Sequence, residues 1–171
     1  VETVPPAAAD KSLPHNLEAE RCVLGAILIH NDTFNQAAEL IDADDFFRDA
    51  HRRVFDKMVD LNERGEAIDL VTLKEELGRS GDLDGVGGPA YIAGLVDGVP
   101  RSTHVEHYAR IVKEKATLRN LIFSANRILE TAYSAEDEAD TILDQAEQSI
   151  FSIADDNIHT GFVPLRDLVQ G

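Results

Sequence analysis

The sequence predicts an all-α protein, a globular helical bundle followed by a long antiparallel helical hairpin. Three observations lead there. Apolar residues recur at three- and four-residue spacing along most of the chain, most clearly from Val105 to Ile153. No stretch alternates apolar and polar residues for long enough to make a sheet, and no repeat of fixed period is visible. The 171 residues are 43% hydrophobic, enough to bury one or two compact cores.

Val1 to Leu13 is small, Pro- and Ala-rich and aperiodic, and reads as a disordered tail. Asn16 is placed to cap a first helix through Leu17, Cys22, Val23, Ala26, Ile27 and Ile29, with Glu18 and Glu20 in its first turn. His30-Asn31-Asp32 ends it. A short helix over Thr33–Leu40 follows, then the acidic run Asp42-Ala43-Asp44-Asp45. From there a third helix reaches about Asn62, turning Phe46, Phe47, Val54, Phe55, Met58 and Leu61 inward, and Arg64-Gly65 stops it. Asp69 or Thr72 caps a helix through Leu73 and Leu77. A Gly85-Val86-Gly87-Gly88 loop leads into a helix carrying Tyr91, Ile92, Leu95 and Val96, with Pro89 suited to its first turn.

The hairpin spans residues 101–154. Ser102 or Thr103 can cap the first arm, with Glu106 in reach for a capping box. An arm of about thirty residues is roughly 45 Å long at 1.5 Å per residue. The second arm starts at Ser134, with Glu136, Asp137 and Glu138 in its first turn, and runs through Ile142, Leu143, Ala146, Ile150 and Ile153. On the first arm Leu118, Leu121, Ile122, Ala125, Ile128, Leu129, Ala132 and Tyr133 cover an arc of about 140°, wider than a two-helix seam needs. The excess meets either a second copy, another protein or the rest of this chain. Residues 155–160 are polar and read as a linker, and Gly161 to Val169 as the start of a further helix.

Charge excludes some functions. The formal net charge is −16, and residues 133–158 hold eight acidic side chains and no Lys or Arg. Direct nucleic-acid binding rests on neutralising phosphates, which this surface opposes; it favours a partner with a basic face. One cysteine, Cys22, rules out a disulfide framework and a thiolate zinc site, and its apolar neighbours mark it as a buried thiol. Without a signal peptide or a long apolar run, the chain reads as cytoplasmic.

No catalytic constellation stands out. Asp137-Glu138-Ala139-Asp140 spells the nucleotide-hydrolysis box of a helicase superfamily, but no buried strand precedes it and no GxxxxGK[ST] occurs anywhere. The glycine loop lacks a following lysine and reads as a turn into a helix. His104 and His107 stand at i, i+3 beside Glu106 without an identifiable third ligand. His51, next to Arg52 and Arg53, is expected to orient a carboxylate or cap backbone.

Three ordered groups of residues then carry a resemblance covering about residues 13–169. They are Pro14-His15-Asn16-Leu17-Glu18-Ala19-Glu20 with Val23-Leu24-Gly25-Ala26-Ile27-Leu28; Asp45-Phe46-Phe47, His51-Arg52, Phe55, Glu63-Arg64-Gly65-Glu66 and Asp69-Leu70-Val71-Thr72-Leu73; and Gly87-Gly88, Tyr91, Tyr108-Ala109-Arg110-Ile111-Val112-Lys113-Glu114-Lys115 and Leu118-Arg119. Together they resemble the N-terminal domain of the bacterial replicative DNA helicases of the DnaB family. The resemblance implies a tail (1–13), a bundle (14–100), a hairpin (101–154) and a linker with the start of a linker helix (155–171), without the ATP- and Mg-dependent motor domain. It implies no catalytic, cofactor or metal residue in this segment, and DNA contact only through the parent helicase.

In that family the hairpins pair, three pairs form a collar on the hexameric motor ring, and the collar binds the C-terminal domain of primase and, in some lineages, a loader protein. Carried onto matching residues, primase contact falls on Tyr91, Arg119, Ile122 and Ile128. Self-pairing falls on Leu118, Leu121, Ala125 and Leu129 of the first arm and Ile142, Leu143 and Ile150 of the second. The alternative is a stand-alone acidic helical adaptor or regulatory protein.

Overall fold

The computed structural model describes the backbone of residues 12–100 and 104–161 and the side chains of those residues up to 157. Among them are α1 (Leu17–Ile29), α2 (Thr33–Ala38), α3 (Asp49–Glu63), α4 (Leu70–Ser80), α5 (Gly88–Gly94), α6 (Val105–Ser134) and α7 (Ala139–Gly161), with a 3₁₀ turn over Ala43–Asp45 and no strand. The chain is all-α, a helical bundle followed by a long helical hairpin, as its periodicity requires. Most of the expected tail, the Ser102 or Thr103 cap and the segment from Phe162 onward lie outside the described residues.

α1 is the central post of the bundle. Asn16 caps it by accepting the Ala19 N–H at 2.9 Å. From Ala19 to Leu28 only Arg21 is left in solvent, the mark of a helix surrounded by others. α1 packs against α2, α3 and α6. Gly25 lies against the α5–Val99 segment, where a Cβ would overlap the Leu95 carbonyl oxygen and the Val99 side chain. Phe46 lies tilted against Phe55 at 5.2 Å, and Phe34 stacks on the same ring at 5.7 Å, filling the space between α2, α3 and the 3₁₀ turn. Phe55, Leu24, Ile27 and Met58 are essentially dry, each contributing about 1.5–3 kcal/mol of burial.

α4 is started by Asp69, whose carboxylate accepts the Val71 and Thr72 N–H groups while the Thr72 hydroxyl accepts the Asp69 N–H. Gly81, at φ 80°, ends it. The turn before α5 places Gly87 at φ 113°, and Pro89 sits in the first turn of α5 as its fixed φ suggests.

Besides starting α3 at Asp49, so that Phe46 and Phe47 precede that helix instead of lying in it, the structure alters three expectations. First, α6 is not confined to a hairpin: Val105, Ala109, Val112 and Ala116 are buried, most of them in the same core as α1. Its first half belongs to the bundle and only its second half projects. Second, Ser134 ends the first arm instead of starting the second. Ala135 turns left-handed at φ 47°, and residues 135–138 form the tip, so the acidic trio precedes α7. Third, helix α7 continues through the polar stretch after Ala154 to Gly161. Polarity there does not break the helix, because one face is open to water and Asp156 is drawn to Lys113 of α6.

Candidate interaction surface

The projecting half of the hairpin has a seam and two broad sides. The seam is narrow: Ser124 and Ser149 hydrogen-bond across it at 2.7 Å, and Ile128, Ile142, Ala146 and Ile153 are half-buried around that pair. A small cavity between the arms is lined by Ile128, Thr131, Ile142 and Ala146. Ile128 and Ile142, expected to face a partner, therefore mainly hold the two arms together. They sit one helical turn and two turns from the Ser124–Ser149 bridge, on the side that faces the other arm.

At about 100° per residue, Leu118, Leu121, Ile122, Ala125 and Leu129 fall on one outward stripe of α6. The antiparallel course of α7 brings Leu143 and Ile150 to the same broad side. All seven are exposed, the large ones from Ile122 at 37% to Leu143 at 58%. The opposite side is more polar, an open groove lined by Asn120, Arg127, Gln145, Gln148 and Ser152 together with Phe123 and Ile153. Thus the hairpin presents a contiguous apolar side that none of the described residues covers.

Arg119 is placed differently from a surface contact. It is 6% exposed, and its guanidinium donates to the Pro14 carbonyl oxygen at 2.8 Å and to that of Asp45 at 2.6 Å while lying over Phe47. The reason lies in the helix repeat: Val105, Ala109, Val112, Ala116 and Arg119 share one face, so Arg119 points into the core and satisfies two carbonyls there.

Tyr91 is half-buried with its hydroxyl exposed to a fixed chain of partners. Its oxygen is 2.6 Å from His51 Nε2 and accepts a 3.2 Å bond from Arg48, whose guanidinium also covers the ring. His51 is fully buried, with Nδ1 2.8 Å from the Glu20 carboxylate, which additionally accepts the backbone N–H groups of Phe47 and Arg48. His51 orients a carboxylate, as its sequence context suggests. Glu20, read from sequence only as a first-turn acid, is the buried anchor of this network, and its place among Ala19, Val23 and Leu24 on the core side was the available signal.

Lys113, which enters the sequence analysis only through the resemblance, is a buried ion-pair residue. It is 6% exposed and sits 3.3 Å from Asp45 and 2.7 Å from Asp156. Burial alone would lower its pKa, but the hydrogen bond to Asp156 and the Asp45 charge carry it above the ordinary lysine value. Asp45 is pushed up by burial, against the pull of the Asp42 N–H and of Lys113.

The chemistry-like motifs are spread out. Asp137 and Glu138 lie in the exposed tip, with Ala139 and Asp140 opening α7. The glycine loop ends in a seven-residue helix. His104 and His107 are exposed at the start of α6, with Glu106 near Arg110. Among the described residues no group of three or more His, Cys, Asp or Glu is placed to hold a metal, and no helix is long and apolar enough to cross a membrane. The Cys22 thiol is buried, which raises its pKa.

The DnaB-like helicase N-terminal domain model matches residues 12–114, more than half of the chain. The chain belongs to that family. It is 39% identical over 156 residues to the replicative DNA helicase DnaB of Geobacillus stearothermophilus, covering 91% of this chain and 34% of that protein. It is 38% identical over 160 residues to the replicative DNA helicase DnaC of Bacillus subtilis, covering 94% and 35%. The chain thus spans about a third of the length of the curated relatives it matches. Among solved structures it is similar to the N-terminal domain of DnaB helicase from Mycobacterium tuberculosis, with a TM-score of 0.78, 36% identity and coverage of 83% of this chain and 99% of that one. A second, described as a DnaB-like replicative helicase and its interactions with primase, matches with a TM-score of 0.64 and 26% identity over 78% of this chain and 31% of that one.

Proposed function

We propose that this chain is the assembly and partner-recruitment domain of a replicative DNA helicase, acting in the cytoplasm during DNA replication. It pairs with a second copy through the apolar side of its hairpin and presents part of that side, together with the Tyr91 edge of the bundle, to the C-terminal domain of primase. Nucleotide chemistry belongs to a motor domain, which would hold ATP and Mg; a helicase loader is a further partner. The observation that carries this reading is the row Leu118, Leu121, Ile122, Leu129, Leu143 and Ile150, exposed on a hairpin whose own seam is already closed.

Three of the residues expected at the partner contact need new roles. Arg119 positions the bundle against α6, and Ile128 and Ile142 set the spacing of the arms. Ile122 and Tyr91 keep a contact role. The solved helicase whose description names primase supports that partner class, and the acidic second arm suits a basic surface on it.

Titration of a labelled primase C-terminal domain against wild type and Ile122→Asp tests the reading. A loss of binding of at least about tenfold is expected, the scale of a central apolar contact. Undiminished binding by Ile122→Asp, with the far-ultraviolet spectrum unchanged, would remove the proposed primase face.

A further inference from the structure

Arg48 is tied at both ends to one buried carboxylate. Glu20, 1% exposed, accepts its backbone N–H at 3.3 Å, beside that of Phe47 at 2.8 Å. The same carboxylate meets Nδ1 of His51 at 2.8 Å, Nε2 meets the Tyr91 hydroxyl at 2.6 Å, and that oxygen accepts the Arg48 guanidinium at 3.2 Å. A guanidinium can only donate and an ionised carboxylate only accept, so the two ends set the direction of the chain. An imidazole carrying its proton on Nδ1 runs it unbroken: Arg48 donates to Tyr91, Tyr91 to His51 and His51 to Glu20.

The consequence falls on the outer end. The single hydroxyl hydrogen of Tyr91 points inward and its oxygen is already taken by Arg48, so Tyr91 offers a partner chiefly its ring. The exposed Arg48 guanidinium, 4.8 Å over that ring, keeps most of its N–H donors. Among the described residues it has no carboxylate partner, whereas Arg52 and Arg53, one turn further along α3, are paired with Asp49 and Asp82. Arg48, Arg52 and Arg53 against the lone acid Asp49 make residues 48–53 locally basic on a chain of net charge −16.

We propose that Arg48 is the specificity-determining contact of the Tyr91 edge and receives an acidic side chain of the partner, with Glu20, His51 and Tyr91 as its positioning residues. This rests on the primase reading above and names the chemistry the partner must bring to that edge. An aspartate or glutamate side chain fits better than a chain terminus: terminal carboxylates are captured in nests of backbone amides, and here a single planar fork stands open over an aromatic ring. Because Tyr91 already holds the guanidinium, little side-chain freedom is left to lose on binding. The acidic second arm of the hairpin suits basic groups, so the partner meets this domain with opposite charges in two places, and that fixes its orientation.

Titration of the labelled primase C-terminal domain against the whole 171-residue chain tests the contact. Arg48→Gln is expected to weaken binding about five- to thirtyfold, the scale of an arginine that matters at an interface, and Arg48→Glu about fivefold more through like-charge repulsion. Tyr91→Phe keeps the ring and frees the guanidinium, and should weaken binding about two- to fivefold. Combined with Arg48→Gln it should add nothing, because the hydroxyl acts through Arg48; a hydroxyl that merely supported the fold or touched the partner itself would add its own loss. Wild-type affinity in Arg48→Gln, equal losses in Arg48→Gln and Arg48→Glu, or additive losses in the double variant would overturn the proposal. Ile122→Asp in the same titration keeps the two readings apart: binding lost there and intact in Arg48→Gln removes the Arg48 contact and leaves the primase face standing.

Discussion

Replacing Arg119 by alanine separates a clamp from a contact residue. The side chain is buried, and its two donated bonds, to Pro14 and Asp45 carbonyls at 2.8 and 2.6 Å, come from a charged donor. Such bonds contribute about 1.5–3 kcal/mol each. Part is recovered when water reaches the Pro14 oxygen, which lies nearer the surface, so a net loss of about 2–4 kcal/mol follows for Arg119→Ala. For a domain of this size that lowers Tm by roughly 5–12 °C. Arg119→Lys should fall between, because an ammonium cannot serve both carbonyls with one planar fork. Thermal unfolding by circular dichroism of the three proteins supplies the comparison. A Tm within about 2 °C of wild type for Arg119→Ala would refute the clamp and return Arg119 to the surface role suggested by resemblance, since exposed substitutions fall in that range.

Two further outcomes follow from the packing and the charges. Gly25→Ala forces a methyl group into the Leu95 backbone, which cannot yield as a side chain could; a loss of about 3 kcal/mol, the upper end of overpacking, should appear in urea unfolding as a lower midpoint with unchanged slope. Glu76 is held below its ordinary carboxylate value first by the forked hydrogen bonds from Arg64, at 3.1 and 2.7 Å, and also by Arg79. Because the folded value is depressed, the stability it contributes is present above the unfolded value of 4.5 and fades as pH falls through the folded one. Glu76→Gln should therefore be less stable than wild type at neutral pH and converge on it in acid; a difference independent of pH would contradict that linkage.

The helices themselves were legible because they rest on local rules: apolar spacing, the Asn16 and Asp69 caps, Pro89 at the start of α5. The tip of the hairpin was not, since an acidic trio suits both the residues before a helix and its first turn, and only the left-handed Ala135 decides between them. The polar continuation of α7 was hidden for a related reason, as one helix face can be wet over its whole length. Arg119 lay on the buried repeat of α6 and could have been read as inward, whereas Lys113 is 68 residues from Asp45 and 43 from Asp156, a meeting that no local pattern announces. The exposed side of the hairpin was half legible: the excess arc is visible in the sequence, but which of its members close the seam depends on where the second arm lies. Ile128 and Ile142 changed sides for that reason.

The central claim, that the uncovered apolar side of the hairpin is a pairing surface, meets its most direct test in light-scattering mass measurements of the whole chain. Wild type should show twice the monomer mass of 18.8 kDa at micromolar concentration, and Leu129→Asp, which puts a charge at the most exposed large residue of the α6 stripe, 54% exposed, should return it to the monomer with its helical content intact. A Leu129→Asp protein that keeps the wild-type dimer mass would contradict the account, as would a wild type that stays monomeric at every concentration.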